Sequence, residues 1–322
     1  MRTDSLDETR IETQPPTRTL PHEGRHVGFT HDNQLVVSGG WPGRLTVFDP
    51  ETGALQVERN LRIVATFLAT PTTGPQLYTG ANTGLAYTLP GLRRAPSLKG
   101  HRRDINSAMF SGDWVITVSG QHVAPTDNTL RVWGLDGIEA ARIPLEGYGQ
   151  QVVMLGEEHA LVHTITSTGL ALYRLDDGER IWMTTEAEYC NIGPIALSLD
   201  HTRLYAFTSM LGESGEAGFR LLDPWTGQEQ NSWPSAKPWK SGHCFGMAIH
   251  PQSGHIFASL GDNSSEDTNH VVIRRLDPAT GEWTASYGAA KQTLQVAISP
   301  NGRWLGSPLG KQVAVWDLSK QL

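Results

Sequence analysis

Gly100-His101, then Val118-Ser119-Gly120, then Asp127-Asn-Thr-Leu-Arg-Val-Trp133 is the stretch on which the fold turns. Between its ends lie two short apolar runs, Met109-Phe110 and Val115 to Val118, separated by Ser111-Gly-Asp-Trp114. Apolar runs this short, bounded by turn residues, read as paired β-strands rather than helix. The closing Trp133 marks a position that recurs. An apolar or aromatic residue, usually followed by a turn, stands at Phe48, Tyr87, Trp133, Tyr173, Leu222, Leu276 and Trp316. The intervals are 39, 46, 40, 49, 54 and 40 residues, obtained by subtracting successive positions. One four-stranded propeller blade takes roughly 40–45 residues, so seven blades are expected.

The turns after these positions share a chemistry. Asp49-Pro-Glu-Thr-Gly53, Asp223-Pro-Trp-Thr-Gly227 and Asp277-Pro-Ala-Thr-Gly281 are the full form, with shorter versions at Leu135-Asp-Gly137 and Asp176-Asp-Gly178. Pro presets φ, Asp bonds back to the backbone and Gly accepts positive φ, so each is a hairpin with strands on both sides. Upstream lie matching strand pairs, such as Ile195 to Leu199 with Leu204 to Thr208, and Leu294 to Ile298 with Trp304 to Ser307. The last unit reaches Leu322 after its third strand, so the fourth is expected from Thr17 to Leu20, which would close the ring and remove a sheet edge. Residues 1–12 are polar and read as a disordered tail, with residues 13–322 as one seven-bladed β-propeller, all-β in class.

Composition agrees and narrows the function classes. The 34 Gly, 19 Pro and 10 Trp suit many tight hairpins and aromatic anchors. The net charge of −7, with no more than two consecutive basic residues, argues against nucleic acid. Residues 1–20 carry Asp4, Asp7, Glu8 and Glu12 and no apolar core, and no run of eighteen apolar residues exists, so the chain reads as soluble, cytoplasmic and free of the membrane.

The third unit resembles the WD40 repeat, with its Gly-His, its Ser and its Asp-x-Thr-Leu-Arg-Val-Trp. Val313-Ala-Val-Trp-Asp317 and Gly242-His243 repeat fragments of that pattern. The resemblance implies a buried hydrogen-bonded tetrad of His101, Ser119, Asp127 and Trp133, and a non-catalytic scaffold for partner proteins. Leu175-Asp-Asp-Gly-Glu-Arg-Ile-Trp182 and Leu276-Asp-Pro-Ala-Thr-Gly-Glu-Trp283 are similar to the docking repeats of quinoprotein-like propellers, with a shorter spacing to Trp. That likeness implies Trp packed between blades. The exported signal, eighth blade and adjacent cysteines of the redox enzymes in that group are not in this sequence, so no cofactor is expected.

His159 and His163 have the spacing of a helical zinc pair, but in a strand they stand roughly 13 Å apart and cannot share one metal. Cys190 and Cys244 lack a CxxC partner or a basic cluster and read as ordinary thiols. No catalytic or metal site is expected.

Binding is expected where the units differ. Insertions at Gln121 to Thr126, Met210 to Gly218 and Gly261 to His270 all fall between second and third strands, which emerge on the same face as the connections between blades. That face also takes Trp41, Trp233 and Trp239 in Pro- and Gly-rich connections, with Trp233 equally readable as folded onto its own blade. Arg25, Arg62, Arg103, Tyr189, Lys240 and Lys291 each precede an innermost strand and are expected to converge on a cationic channel mouth. The contacts expected for a protein partner are Trp41, Arg62, Arg103, Tyr189, Trp239, Lys240 and Lys291. The alternatives are a small-molecule enzyme or sensor using the channel, or one component of a larger complex.

Overall fold

The computed structural model describes residues 13–39, 43–71, 73–121, 126–165, 169–184, 192–211, 216–234, 243–261, 271–290 and 295–320. Trp41, Tyr189, Cys190, Trp239, Lys240, Lys291 and the tail 1–12 lie outside them. The strands assemble into seven sheets, each a blade whose strands follow one another outward from the centre. Blade 1 runs His26–Phe29, Leu35–Gly39, Arg44–Phe48, Leu55–Asn60; blade 3 runs Ile105–Ser111, Trp114–Ser119, Thr129–Gly134, Glu139–Pro144. Blades 4 and 5 follow as Tyr148–Leu155 to Arg180–Met183 and Ile192–Leu197 to Glu229–Pro234. Phe48, Tyr87, Trp133, Tyr173, Leu222, Leu276 and Trp316, the residues that set the sequence period, all lie on third strands and are all buried.

The ring closes as expected. Arg18–Leu20 pairs antiparallel with Gln312–Asp317 of blade 7, Leu20 opposite Val313, and supplies the fourth strand. The sequence did not announce the step before it: Thr13–Gln14 pairs in parallel with the outer strand of blade 6, Glu282–Ala290. The Gln14 carbonyl there accepts the indole N–H of Trp316 at 3.1 Å. The segment therefore staples the outer edges of two blades.

The core lies between blades. Seven apolar clusters each join two neighbours, as Val118, Val132 and Ile143 of blade 3 do with Val152, Val162 and Tyr173 of blade 4. Second strands are covered on both sides and read as continuous buried runs, Leu35–Gly39 and Ile256–Gly261 among them. The fourth strands, at the rim, are mostly exposed.

Two kinds of irregularity shape each wedge. In blades 3 to 6 the innermost strand carries a bulge, between Ile105 and Ser107, Gly149 and Gln151, Ile192 and Ile195, and Cys244 and Gly246. A bulge turns its extra residue out of the ladder. Asn106, Gln150, Pro194 and Phe245, the residues freed, line the central channel. At the rim, fourth strands dock on the next blade's turn. Trp182 of blade 4 lies against Gly227 of blade 5, and Trp233 of blade 5 against Gly281 of blade 6. A Cβ on either glycine would fall 2.7 Å and 2.4 Å from the indole, and both have positive φ, +71° and +76°. Glycine is required there on both counts. Trp233 thus belongs to strand Glu229–Pro234, is buried and tilts onto Tyr205 at 6.4 Å, so the reading as folded onto its blade holds.

Candidate functional site: the channel, its mouth and the third blade

The bulged inner strands enclose a central cavity of about 530 Å³, within the range of small-ligand pockets. Its polar side chains mostly join one blade to the next. Thr66 Oγ1 donates to the carbonyls of Gly80 and Ile105 at 3.1 and 2.8 Å. Asn106 Nδ2 donates to Gly120 and Gly149 at 3.2 and 2.7 Å. Gln151 exchanges two 2.8 Å bonds with the Ile195 backbone, and Gln295 Oε1 accepts from Val27 N at 3.0 Å across the closing seam. These groups are used by the ring itself.

Other lining groups are less committed. Arg25 is the one lysine or arginine among the described lining residues, and no carboxylate is among them. His163, 3% exposed, lines the cavity and leaves its Nδ1 without a hydrogen-bond partner. Burial pushes its pKa down to about 4. His26 is lowered to about 4 too, by burial first, with the nearby Arg25 charge acting in the same direction. Both imidazoles are neutral at pH 7. Cys244 is buried, its thiol 3.4 Å from the Gly246 carbonyl and pushed up to about 12, so it is no nucleophile. No cluster of three metal-ligating side chains occurs among the described residues.

The expected convergence of cations is only partly present. Arg25 reaches the channel, whereas Arg62 and Arg103 are not among its lining residues. Arg62 sits at φ 60° with its amide bonded to Asn60 Oδ1 at 2.8 Å, exposed on the connection between blades 1 and 2. Arg103 Nε is held 3.0 Å from Thr126 Oγ1 of its own blade. A local amide bond holds Arg62 and a side-chain bond holds Arg103, and neither leaves a periodicity from which a sequence could read their direction.

In blade 3 the structure links the four residues of the expected tetrad, but through a fifth. The hydroxyl between His101 and Trp133 is that of Thr117, 2.8 Å from His101 Nε2 and 2.8 Å from Trp133 Nε1. Ser119 stands two residues on, on the same strand face, and donates instead to the Asp127 carbonyl at 2.6 Å. The reason is register: Trp133 pairs with Val115, so its indole reaches Thr117, while Ser119 lies opposite Thr129. His101 Nδ1 meets Asp127 Oδ2 at 3.1 Å, and that carboxylate also accepts from the Arg102 amide at 2.6 Å and from Arg131. Burial alone would raise the Asp127 pKa, but the Arg102 amide, Arg131 and His101 outweigh it and keep it low. His101 is driven down to about 4 by burial and by the Arg131 charge, and is neutral. Arg131, 1% exposed, completes the chain with Glu139 at 2.9 Å. The sequence reading missed Thr117; the alternation of the strand, which puts 117 and 119 on one face, is the signal that could have set it beside Ser119.

Among the described residues no helix is long and apolar enough to cross a membrane. No curated protein matches the chain. The family model described as WD domain, G-beta repeat matches residues 93–134, which hold every member of the polar chain just described except Glu139. WD40-type propellers generally act as protein-interaction scaffolds and are typically non-enzymatic. With its seven four-stranded blades and this matched repeat, the chain is a WD40-like seven-bladed β-propeller.

Proposed function

We propose that the chain is a non-catalytic scaffold that holds another protein on its loop-rich face and at the channel mouth, in the cytoplasm. The observation that carries this reading is the use of the channel's polar side chains: Thr66, Asn106, Gln151 and Gln295 are bonded across blade boundaries, which stiffens a platform and leaves few groups for a substrate. Arg62 and Arg103 on the blade connections, with Trp41, Tyr189, Trp239, Lys240 and Lys291 from the sequence, are the proposed contacts. Large aromatic and arginine anchors typically carry about 2 kcal/mol or more each at such interfaces. Affinity capture with wild type, Trp239→Ala and Arg103→Ala tests it. Loss of the same partners from both variants is expected, and equal recovery by all three would remove this face from the reading.

A second reading rests on the cavity itself. Arg25 and His163, whose Nδ1 has no hydrogen-bond partner, face a space of about 530 Å³ with no acidic group among its described lining, a setting for a small anion. Thermal-shift screening of phosphorylated and carboxylate metabolites is the test, since a ligand at 100 times its dissociation constant adds about 2.7 kcal/mol. A shift abolished by Arg25→Ala is expected on this reading, and no shift with any of them would end it.

A further inference from the structure

Two tryptophans on the opposite face take no part in either reading. Trp114 begins the second strand of blade 3, Trp225 sits in the turn between third and fourth strands of blade 5, and they are 46% and 48% exposed. Leu199 and Ile138, in other turns at the same end of the ring, are more exposed still. Single exposed apolar residues need no explanation, but these share one surface. Ser111 Oγ bonds the Glu157 carbonyl at 3.4 Å, joining the turns of blades 3 and 4. The Gly156 amide donates to His201 Nδ1 at 3.0 Å, joining those of blades 4 and 5. The Trp225 indole stands edge-on to His159, centroids 5.2 Å apart.

The fold does not require either indole. The Asp-Pro-x-Thr-Gly turn occurs three times, with Glu51, Trp225 and Ala279 at x, and in each the amide of x donates to the Asp carboxylate at 2.8 Å. The turn forms as well with Glu or Ala. The place of Trp114 is taken in blades 1, 2, 4, 5 and 6 by Gln34, Gln76, His159, Arg203 and His255, all polar, and in blade 7 by Trp304, which, unlike Trp114, is buried.

The setting is strongly acidic. Asp113, Asp136, Glu157, Glu158 and Asp200 are exposed in the same turns and make no ion pair among the described residues. The cations of these turns are Arg174, taken up by Asp176, Asp177 and Glu179, and Arg203. Apolar anchors amid unpaired carboxylates fit a partner of opposite charge. A second copy would set acid against acid. The chain's own residues 1–12 have the wrong sign too, with Asp4, Asp7, Glu8 and Glu12 against Arg2 and Arg10.

We propose that the turn face of blades 3 to 5 is a second docking surface, which takes a basic segment of a partner protein carrying leucine-like or aromatic anchors between Trp114, Leu199 and Trp225. It is independent of the loop-rich face, and its test uses different variants. A fluorescein-labelled twelve-residue peptide of alternating arginine and leucine, titrated by anisotropy against the full chain, is the probe, with a glutamate-for-arginine peptide as control. Saturable binding of the basic peptide alone is expected. The Trp114→Ala/Trp225→Ala pair should weaken it about 30-fold or more, the factor that corresponds to a single hot spot of about 2 kcal/mol. Asp113→Asn/Glu157→Gln should weaken it several-fold, less so at high salt, and Arg103→Ala on the other face should leave it unchanged. Both tryptophans are surface residues, so the thermal midpoint reports whether the fold is kept. No saturable binding, equal binding of the two peptides, or insensitivity to the tryptophan pair would overturn the proposal. So would a wild-type dimer, seen by sedimentation, that Trp225→Ala dissociates.

Discussion

Blades 3 and 5 place an arginine at the same register position and surround it in opposite ways. Arg131 lies opposite Thr117, and Arg220 opposite Ala206, each followed two residues later by the large third-strand residue, Trp133 or Leu222. Both arginines reach a fourth-strand glutamate, Glu139 at 2.9 Å and Glu229 at 2.6 Å. Behind that pair blade 3 builds a polar chain through Asp127, His101 and Thr117, whereas blade 5 packs aromatics. Phe219 meets Phe207 at 5.3 Å and Trp283 at 5.7 Å, and Trp233 fills the seam toward blade 6. The same wedge can be closed by hydrogen bonds that need every member, or by apolar volume that tolerates substitution.

Acid should separate the two most. His26, His101 and His163, in blades 1, 3 and 4, are held neutral with pKa values of about 4, while no strand of blade 5 contains histidine. Such an imidazole takes its proton in the unfolded chain near pH 6.5 and in the folded one only near 4. Stability is therefore intact above neutrality and falls as pH drops through that window. Each contributes up to about 1.4 kcal/mol per pH unit. Urea midpoints measured from pH 7 to 4.5 should decline steeply, and a flat profile would contradict neutral buried imidazoles.

Asp127→Ala comes next. It strands Arg131, almost fully buried, and unbonds the Arg102 amide, so a loss of about 3–5 kcal/mol is expected in chemical denaturation. Trp233→Ala should cost a similar amount through its cavity, about 3–5 kcal/mol. The mechanisms differ in how they can be repaired. Asp127→Leu with Arg131→Met should recover most of the first loss, because replacing a buried ion pair is cheaper than breaking it. A double variant no better than Asp127→Ala would mean that the polar chain is not separable from the blade.

Thr117 and Ser119 make a finer test within blade 3. Thr117→Val leaves both His101 Nε2 and Trp133 Nε1 without their shared oxygen, an expected loss of about 2–3 kcal/mol. Ser119→Ala removes a donor to Asp127, for about 1 kcal/mol. Equal losses would restore Ser119 to the central place that the sequence pattern gave it.

That pair also marks how far the sequence could be read. The period of Phe48 to Trp316 exposed the blades, since one buried residue per third strand is a spacing that survives loop insertions. Ring closure by Arg18–Leu20 followed from a strand missing at the other end. The polar chain was legible in four of its members but not in Thr117, Arg131 or the wiring, because Thr117 and Ser119 share a face and register decides between them. Trp233 read as a loop residue because prolines at 234 and 238 hid a rim strand. The inner bulges, the two-residue staple at Thr13–Gln14 and the directions of Arg62 and Arg103 leave no periodic trace, and the turn-face tryptophans look like any turn residue until the blades bring them together.

The smallest expected difference lies where the blades are most alike, at the arginine–glutamate pairs of the rim. Glu229→Gln keeps a hydrogen-bond acceptor beside Arg220 on a partly exposed strand, and should cost about 0.5 kcal/mol or less. Glu139→Gln should cost about 1 kcal/mol, because Glu139 serves both Arg131 and, at 2.8 Å, Arg142, and Arg131 is the more deeply buried arginine. Matched urea titrations resolve such a gap only through the difference between the two variants. Equal costs would show that the outer glutamate adds nothing particular to blade 3, and would confine the contrast between the blades to the chain of His101, Thr117, Asp127, Arg131 and Trp133. A larger cost at Glu139 would extend the polar chain to the rim, so that blade 3 is held by one continuous network from His101 to Arg142 while its counterpart packs aromatics behind its arginine–glutamate pair.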